Sequence, residues 1–254
     1  MKTVKSADGT VIAYDQDGEG SPVICLHGTG VRRTIWRLLD AQVNNLCIIA
    51  PDRRGRGDSD DGGEYACQRE VEDVQAIVAE CEGDPVLFGS SFGGLLALEA
   101  AKSVDLDRLV LYEPPLPRAT IASEDDTPQE SLAKRTDERL DAGDPAGAAK
   151  LFFTEATGAE SIEHWPIWPE CTEFARTIPR ECRIVEQFLP EDADVDVPTL
   201  LFTGTESPEY LRAGVGKLAD VIPDSTVAEL DGVGHAGVAT APDQVAARLE
   251  SFVL

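Results

Sequence analysis

Lysine is scarce in this chain: six residues, against sixteen arginines and 47 Asp plus Glu, which leaves a formal net charge of −25 at pH 7. A surface of that sign repels nucleic-acid phosphates and argues against DNA or RNA as a partner. Long apolar runs are missing as well. None approaches the roughly 18 to 20 residues that a bilayer span requires, so no membrane partner is expected. The stretch Met1 to Thr10 carries neither the apolar segment nor the small-residue cleavage site of a secretory signal, and a cytoplasmic location follows as the expectation. Six cysteines occur but no CxxC pair, and Cys25 and Cys47 fall inside apolar, strand-like runs. Free buried thiols are therefore expected rather than disulfides, and no metal site.

Apolar and acidic residues, by contrast, are plentiful and patterned. Hydrophobic residues make up 42% of the 254, enough for one substantial domain with a proper core. A lysine-poor, acid-rich surface suits high ionic strength, where salt screens self-repulsion, so a halophilic response of stability to salt is expected. Asp8-Gly9, between Val4 and the run Val11-Ile12-Ala13-Tyr14, predicts an antiparallel hairpin at the start. Pro22 to Leu26, Leu46 to Ala50, Pro85 to Gly89, Arg108 to Tyr112, Thr199 to Thr203 and Thr226 to Leu230 are short apolar runs without strict alternation, as in a parallel sheet covered on both faces. Arg69 to Cys81, Leu95 to Lys102 and Pro242 to Phe252 read as helices between them. This alternation predicts an α/β class: a mostly parallel, doubly wound sheet with the antiparallel hairpin at one edge.

From Leu116 to Asp196 the rhythm stops. Helical patterns run over Leu132 to Leu140 and Ala146 to Phe153, with no convincing strand. So long an excursion is not a bare loop in a compact domain. An inserted helical cap over 116–196 is expected, on a core of residues 1–115 and 197–254. Its Trp165 and Trp168 either line a substrate pocket or pack the cap's own interior.

Chemistry enters with Gly89-Ser90-Ser91-Phe92-Gly93-Gly94, which follows the strand Val86-Leu87-Phe88 and opens the apolar helix Leu95-Leu96-Ala97-Leu98. GxSxG in that setting puts Ser91 on a sharp strand-to-helix turn, with glycines where side chains would collide with backbone. A Gly-rich turn is the bland explanation of an isolated motif; the strand before and the helix after favour a nucleophile. A serine hydroxyl needs a base, and only three histidines exist. His27 directly follows a strand, and His164 lies in the expected cap. His235 sits in the flexible, glycine-rich loop Gly232 to Gly237 between the last strand and the last helix. The chain order nucleophile, acid, histidine selects His235.

With these residues the chain resembles the α/β-hydrolase superfamily, within its small capped, esterase-like serine hydrolases, over nearly all its length outside the cap. Members carry a His-Gly motif after an early strand, matched by His27-Gly28, and commonly Asp-x-Arg-Gly-x-Gly-x-Ser after the next, matched by Asp52-Arg53-Arg54-Gly55-Arg56-Gly57-Asp58-Ser59. The resemblance implies an oxyanion hole from the backbone N–H groups of Phe92 and Thr29. The charged run Asp52 to Asp61 suggests a phosphate site on its own, but a turn network whose charges pair with each other is the expected role. One slot departs from the pattern: where most members place an aspartate after the penultimate strand, Gly204-Thr205-Glu206-Ser207 has Ser207. The acid is then Glu113, which closes the strand Leu109-Val110-Leu111-Tyr112 in an arrangement similar to that of some haloalkane dehalogenases, or Glu206, one residue short of the usual slot. Glu113 is favoured, because an imidazolium formed in catalysis would meet its buried charge. Asp231 is a weaker candidate and reads as a turn residue.

These residues imply a cofactor-free hydrolase of a small ester or lactone, working on a small-molecule substrate through an acyl-enzyme. Two alternatives keep the same site: hydrolysis of a carbon–carbon bond, or perhydrolysis. A non-catalytic binding protein is the contrasting class, since a fold alone does not establish function. A homodimer is compatible with the sequence.

Overall fold

The computed structural model describes residues 1–121, 130–193 and 195–254. Eight strands form one sheet: β1 (Lys2–Lys5), β2 (Val11–Asp17), β3 (Ser21–Leu26), β4 (Leu46–Pro51), β5 (Val86–Ser90), β6 (Arg108–Tyr112), β7 (Thr199–Gly204) and β8 (Ser225–Leu230), in the order β1-β2-β4-β3-β5-β6-β7-β8. The β1–β2 hairpin turns at Gly9, whose φ is +88°, and the Asp8 carboxylate accepts from the Thr10 N–H at 3.0 Å. β2 also meets β4 antiparallel; every other pairing is parallel.

Helices cover both faces: α1 (Arg37–Asp40), α2 (Cys67–Val78), α3 (Phe92–Ala101), α4 (Arg118–Ile121), α5 (Leu132–Asp141), α6 (Pro145–Thr157), α7 (Ile178–Gln187), α8 (Glu209–Val221), α9 (Gly237–Thr240) and α10 (Pro242–Val253). Ile24, Leu26, Leu87, Leu109 and Leu201 point to one side of the sheet and pack on α2, α3 and α8 through Val74, Leu96 and Leu218. Val23, Cys25, Phe88, Val110 and Phe202 point to the other and pack on Trp36, Leu39 and the α10 residues Val245 and Leu249. Both faces being dry, the central strands carry continuous apolar runs. At the edge this fails: β8 is largely exposed, with Val227 46% accessible, so the run expected to be buried on both faces is covered on one.

Between β6 and β7 the described residues hold helices and no strand. The expected cap also includes 122–129 and 194, which lie outside the described residues. Capping signals mark the starts of two of these helices: the Ser131 hydroxyl accepts from the Lys134 N–H at the start of α5, and Asp144 accepts from the Gly147 N–H, with Pro145 opening α6. Ala148, Phe152, Phe153, Ile162, Ile178 and Cys182 form the interior of this segment, joined by Val31 from the loop after β3. All six cysteines are free; Cys67 and Cys81 are only partly buried, which corrects the expectation of burial for those two. Among the described residues no helix is long and apolar enough to cross a membrane.

The chain runs from β3 outward to β4 and then returns to β5 on the other side of β3. Such a switch point leaves a crevice at the carboxyl ends of the strands, the usual binding position in this architecture. The loops after β3 and β5 meet there.

Candidate active site

β5 pairs with β6 up to Ser90 opposite Tyr112, so Ser91 and Glu113 leave the sheet side by side. They share a further property: they are the two non-glycine residues with positive φ among those described, at 54° for Ser91 and 44° for Glu113. Such conformations cost about 1–3 kcal/mol each and persist only where the surroundings impose them. At Ser91 the Ser91 N–H donates to the Tyr112 carbonyl and the Gly94 N–H to the Ser91 carbonyl, both at 2.8 Å. A Cβ at Gly89 would overlap the Gly93 carbonyl, and one at Gly93 the Leu26 carbonyl, so no side chain fits at either. Gly28 lies directly against the serine; a Cβ there would stand 3.1 Å from Ser91 Cβ.

Glu113 is fully buried, and its Oε2 lies 2.8 Å from His235 Nδ1. Its Oε1 accepts from Thr203 Oγ1 at 3.0 Å and from the Gly204 N–H at 2.8 Å. Burial alone would raise its pKa, but the bonds from His235 and Gly204, with the Ser207 hydroxyl close by, hold it below the usual carboxylate range. Ser207 makes no hydrogen bond of ordinary geometry there and lies against the carboxylate. Glu206 is exposed, and its backbone N–H donates to the Val233 carbonyl at 2.9 Å. Asp231 is exposed next to Gly232, whose φ is +68°.

The His235 loop, expected to be flexible, is held at several points. The Tyr112 hydroxyl donates to the Gly234 carbonyl at 2.7 Å, the Glu206 N–H holds Val233, and the Gly232 N–H donates to Thr205 Oγ1 at 2.8 Å. Ser91 Oγ and His235 Nε2 do not form a hydrogen bond in this structure; in ligand-free sites that contact commonly tightens only with substrate. Among the described residues neither the Thr29 N–H nor the Phe92 N–H has an acceptor, although both residues are buried. Phe92 opens α3, where free N–H groups and the helix dipole favour negative charge.

A strand-order switch point beside β3, a strained serine between strand and helix, and an imidazole on a buried carboxylate together describe one architecture. The sequence profile described as the alpha/beta hydrolase family matches residues 23–248. The chain belongs to that family. Over its full length it is 28% identical to a protein of Streptomyces lividans named non-heme chloroperoxidase, covering 99% of it. Among solved structures it is similar to an alpha/beta hydrolase from Sphaerobacter thermophilus, 32% identical with a TM-score of 0.88 and complete coverage of both chains. An esterase from Exiguobacterium antarcticum shares the fold at a TM-score of 0.81 and 19% identity, over 99% of this chain and 98% of that one.

His27 is fully buried: burial, then the nearby Arg53 and Arg56, push its pKa well below 6.5, and the ring is neutral. Its Nε2 accepts from the Arg53 N–H at 3.1 Å, which places the proton on Nδ1 for donation to the Gly28 carbonyl at 2.9 Å. His164 is exposed in the helical segment between β6 and β7. The charged run after β4 pairs mainly outside itself, correcting the expected self-paired network. Asp52 and Asp58 meet Arg33; Arg54 meets Asp8 and Asp73; Arg53 and Arg56 meet Glu70 and Glu181. Trp165 and Trp168 are partly buried against the apolar cluster of α6 and α7, Trp165 edge-on to Phe153 with centroids 6.3 Å apart. Phe153 in turn lies over the loop after β3, where a Cβ at Gly30 would stand 3.0 Å from its ring.

Sequence reasoning passed over Thr203, Tyr112 and Glu181. Tyr112 and Thr203 lie at the carboxyl ends of strands that the apolar runs mark, so their places beside Glu113 and the His235 loop follow from position alone. Nothing local marks Glu181.

Proposed function

We propose that the chain is a serine hydrolase that cleaves a small carboxylic ester or lactone through an acyl-enzyme. The observation that carries this reading is the hydrogen bond from His235 to a fully buried, ionised Glu113 on the strand next to Ser91. A carboxylate accepting from Nδ1–H leaves the Nε2 lone pair as the base. Ser91 Oγ attacks the carbonyl carbon, its proton passes to His235 Nε2, and the oxygen that becomes negative accepts from the Thr29 and Phe92 N–H groups. Each such donor is worth about 3 kcal/mol in the transition state. Collapse of the intermediate breaks the bond to the alcohol oxygen, which takes the proton from Nε2. Water then attacks the acyl-enzyme by the same route, releasing the acid and restoring Ser91. Glu113 meets the transient imidazolium charge, which neither group could carry alone at that depth. The cover of Phe153 over the loop after β3, with Trp165 edge-on to it, supports a small acyl group.

The full-length likeness to a protein named non-heme chloroperoxidase supports a second reading on the same residues. Hydrogen peroxide replaces water in the second step, and the acyl group leaves as a peracid. The test is turnover of p-nitrophenyl acetate and γ-butyrolactone, with and without peroxide, in wild type and Ser91→Ala. Loss of all turnover in Ser91→Ala is expected, and peracid formation selects the second reading. Turnover that survives in Ser91→Ala contradicts both.

A further inference from the structure

We propose that Arg53 is a positioning residue for the oxyanion hole and that Glu181 of α7 ties the helical insertion to it, an inference that rests on the serine-hydrolase reading above. All five guanidinium N–H groups of Arg53 are committed. Nε and Nη2 fork onto Glu70 of α2 at 2.7 and 2.9 Å, Nη2 also reaches Glu181 at 2.6 Å, and Nη1 donates to the carbonyls of His27 at 3.1 Å and Gly28 at 3.3 Å. The guanidinium carbon also lies 4.6 Å from the ring centroid of Phe92. One buried side chain thus touches both segments that carry the free N–H groups.

The Gly28 contact has a direct geometric consequence. The Gly28 C=O and the Thr29 N–H belong to one planar trans peptide and point in opposite directions. Holding that carbonyl, from Arg53 on one side and from His27 Nδ1 on the other, aims the Thr29 N–H at the site. Arg53 braces His27 too, by donating its own N–H to Nε2. Lysine, with three donors and no planar fork, cannot satisfy these acceptors together. Glu181, fully buried and paired with Arg53 and Arg56, is the acid of α7 that closes the chain of contacts from the insertion to the hole.

Arg54 supplies a matched control. It is equally buried and forks onto Asp73 of the same helix, and its remaining side-chain hydrogen bonds go to Asp8 and the Arg69 carbonyl, none to the loop after β3. We expect Arg53→Lys and Arg54→Lys to lower Tm comparably. On p-nitrophenyl acetate, Arg53→Lys lowers kcat about tenfold to a hundredfold with KM little changed, because a misaimed donor is felt in the transition state. Arg54→Lys leaves kcat within about twofold. Equal kcat losses in the two variants, or a loss confined to KM, would overturn the positioning role. If Arg53→Lys does not fold, Glu181→Gln takes its place: a fall in kcat with KM preserved supports the tie, and an unchanged kcat overturns it. A folded wild type that neither hydrolyses the ester nor reacts with a fluorophosphonate removes the serine-hydrolase reading and this role together; normal wild-type reaction with indifferent variants removes only the role.

Discussion

Replacing Glu113 by glutamine changes one atom and reverses the logic of the imidazole. In the folded protein Oε1 is the acceptor for Thr203 and the Gly204 N–H. The glutamine oxygen takes over those two bonds, which turns its NH₂ toward His235 Nδ1. Nδ1 must then accept, the ring proton moves to Nε2, and the nitrogen that would deprotonate Ser91 has no lone pair. The same wrong-tautomer effect in serine proteases lowers kcat by about 10⁴, which is about 5 kcal/mol of barrier at 1.36 kcal/mol per tenfold. The fold should tolerate the change: the shape is kept, and the loss of a charge-assisted bond costs roughly 1.5–3 kcal/mol, or some 3–12 °C in Tm for a chain of this size. Glu206→Gln, at an exposed position, should leave kcat within about twofold. Initial rates on p-nitrophenyl acetate beside thermal melts decide the matter. A crippled Glu206→Gln with an active Glu113→Gln would refute the reasoning, as would two active variants.

Three further expectations are cheaper to check. Gly93→Ala forces a methyl group against the Leu26 and His27 carbonyls; either the turn moves and activity falls at least tenfold or Tm drops by several degrees, and a variant normal in both would contradict the packing argument. His27 has a depressed folded pKa, so the unfolded chain binds the extra proton first and stability is lost as pH falls below the unfolded value near 6.5, by up to about 1.4 kcal/mol per pH unit. Glu113, also depressed, adds its own loss only lower, as pH falls from its unfolded value through its folded one. Urea unfolding of wild type and His27→Asn at pH 7.0, 6.0 and 5.0 should show a shallower decline in the variant, and parallel declines would rule this out. With a net charge of −25, Tm should rise from low salt to about 1 M KCl as repulsion is screened; a falling Tm would end the halophilic reading.

Local rules made much of this fold readable. The central strands are short apolar runs because both faces are covered, and the serine turn is marked by glycines that backbone contacts require. Glu113 could be favoured but not settled, because its burial depends on Thr203 and His235, 90 and 122 residues away. α7 was missed for a similar reason. Its buried face mixes Ile178 and Cys182 with Glu181, and the acid is tolerated inside only because Arg53 and Arg56 arrive from more than 120 residues earlier. α8 has no such excuse: Leu211, Val215 and Leu218 recur at helical spacing. β8 looked like a central strand because composition does not register that nothing pairs beyond it.

The proposed hydrolysis requires Ser91 to be a nucleophile activated by His235. The direct measurement is intact-mass detection of fluorophosphonate labelling of the purified protein in high salt, for wild type, Ser91→Ala and His235→Ala. One adduct per chain in wild type and none in either variant is the predicted result. A folded wild type that stays unlabelled would contradict the account and leave a small-molecule-binding member of the family in its place.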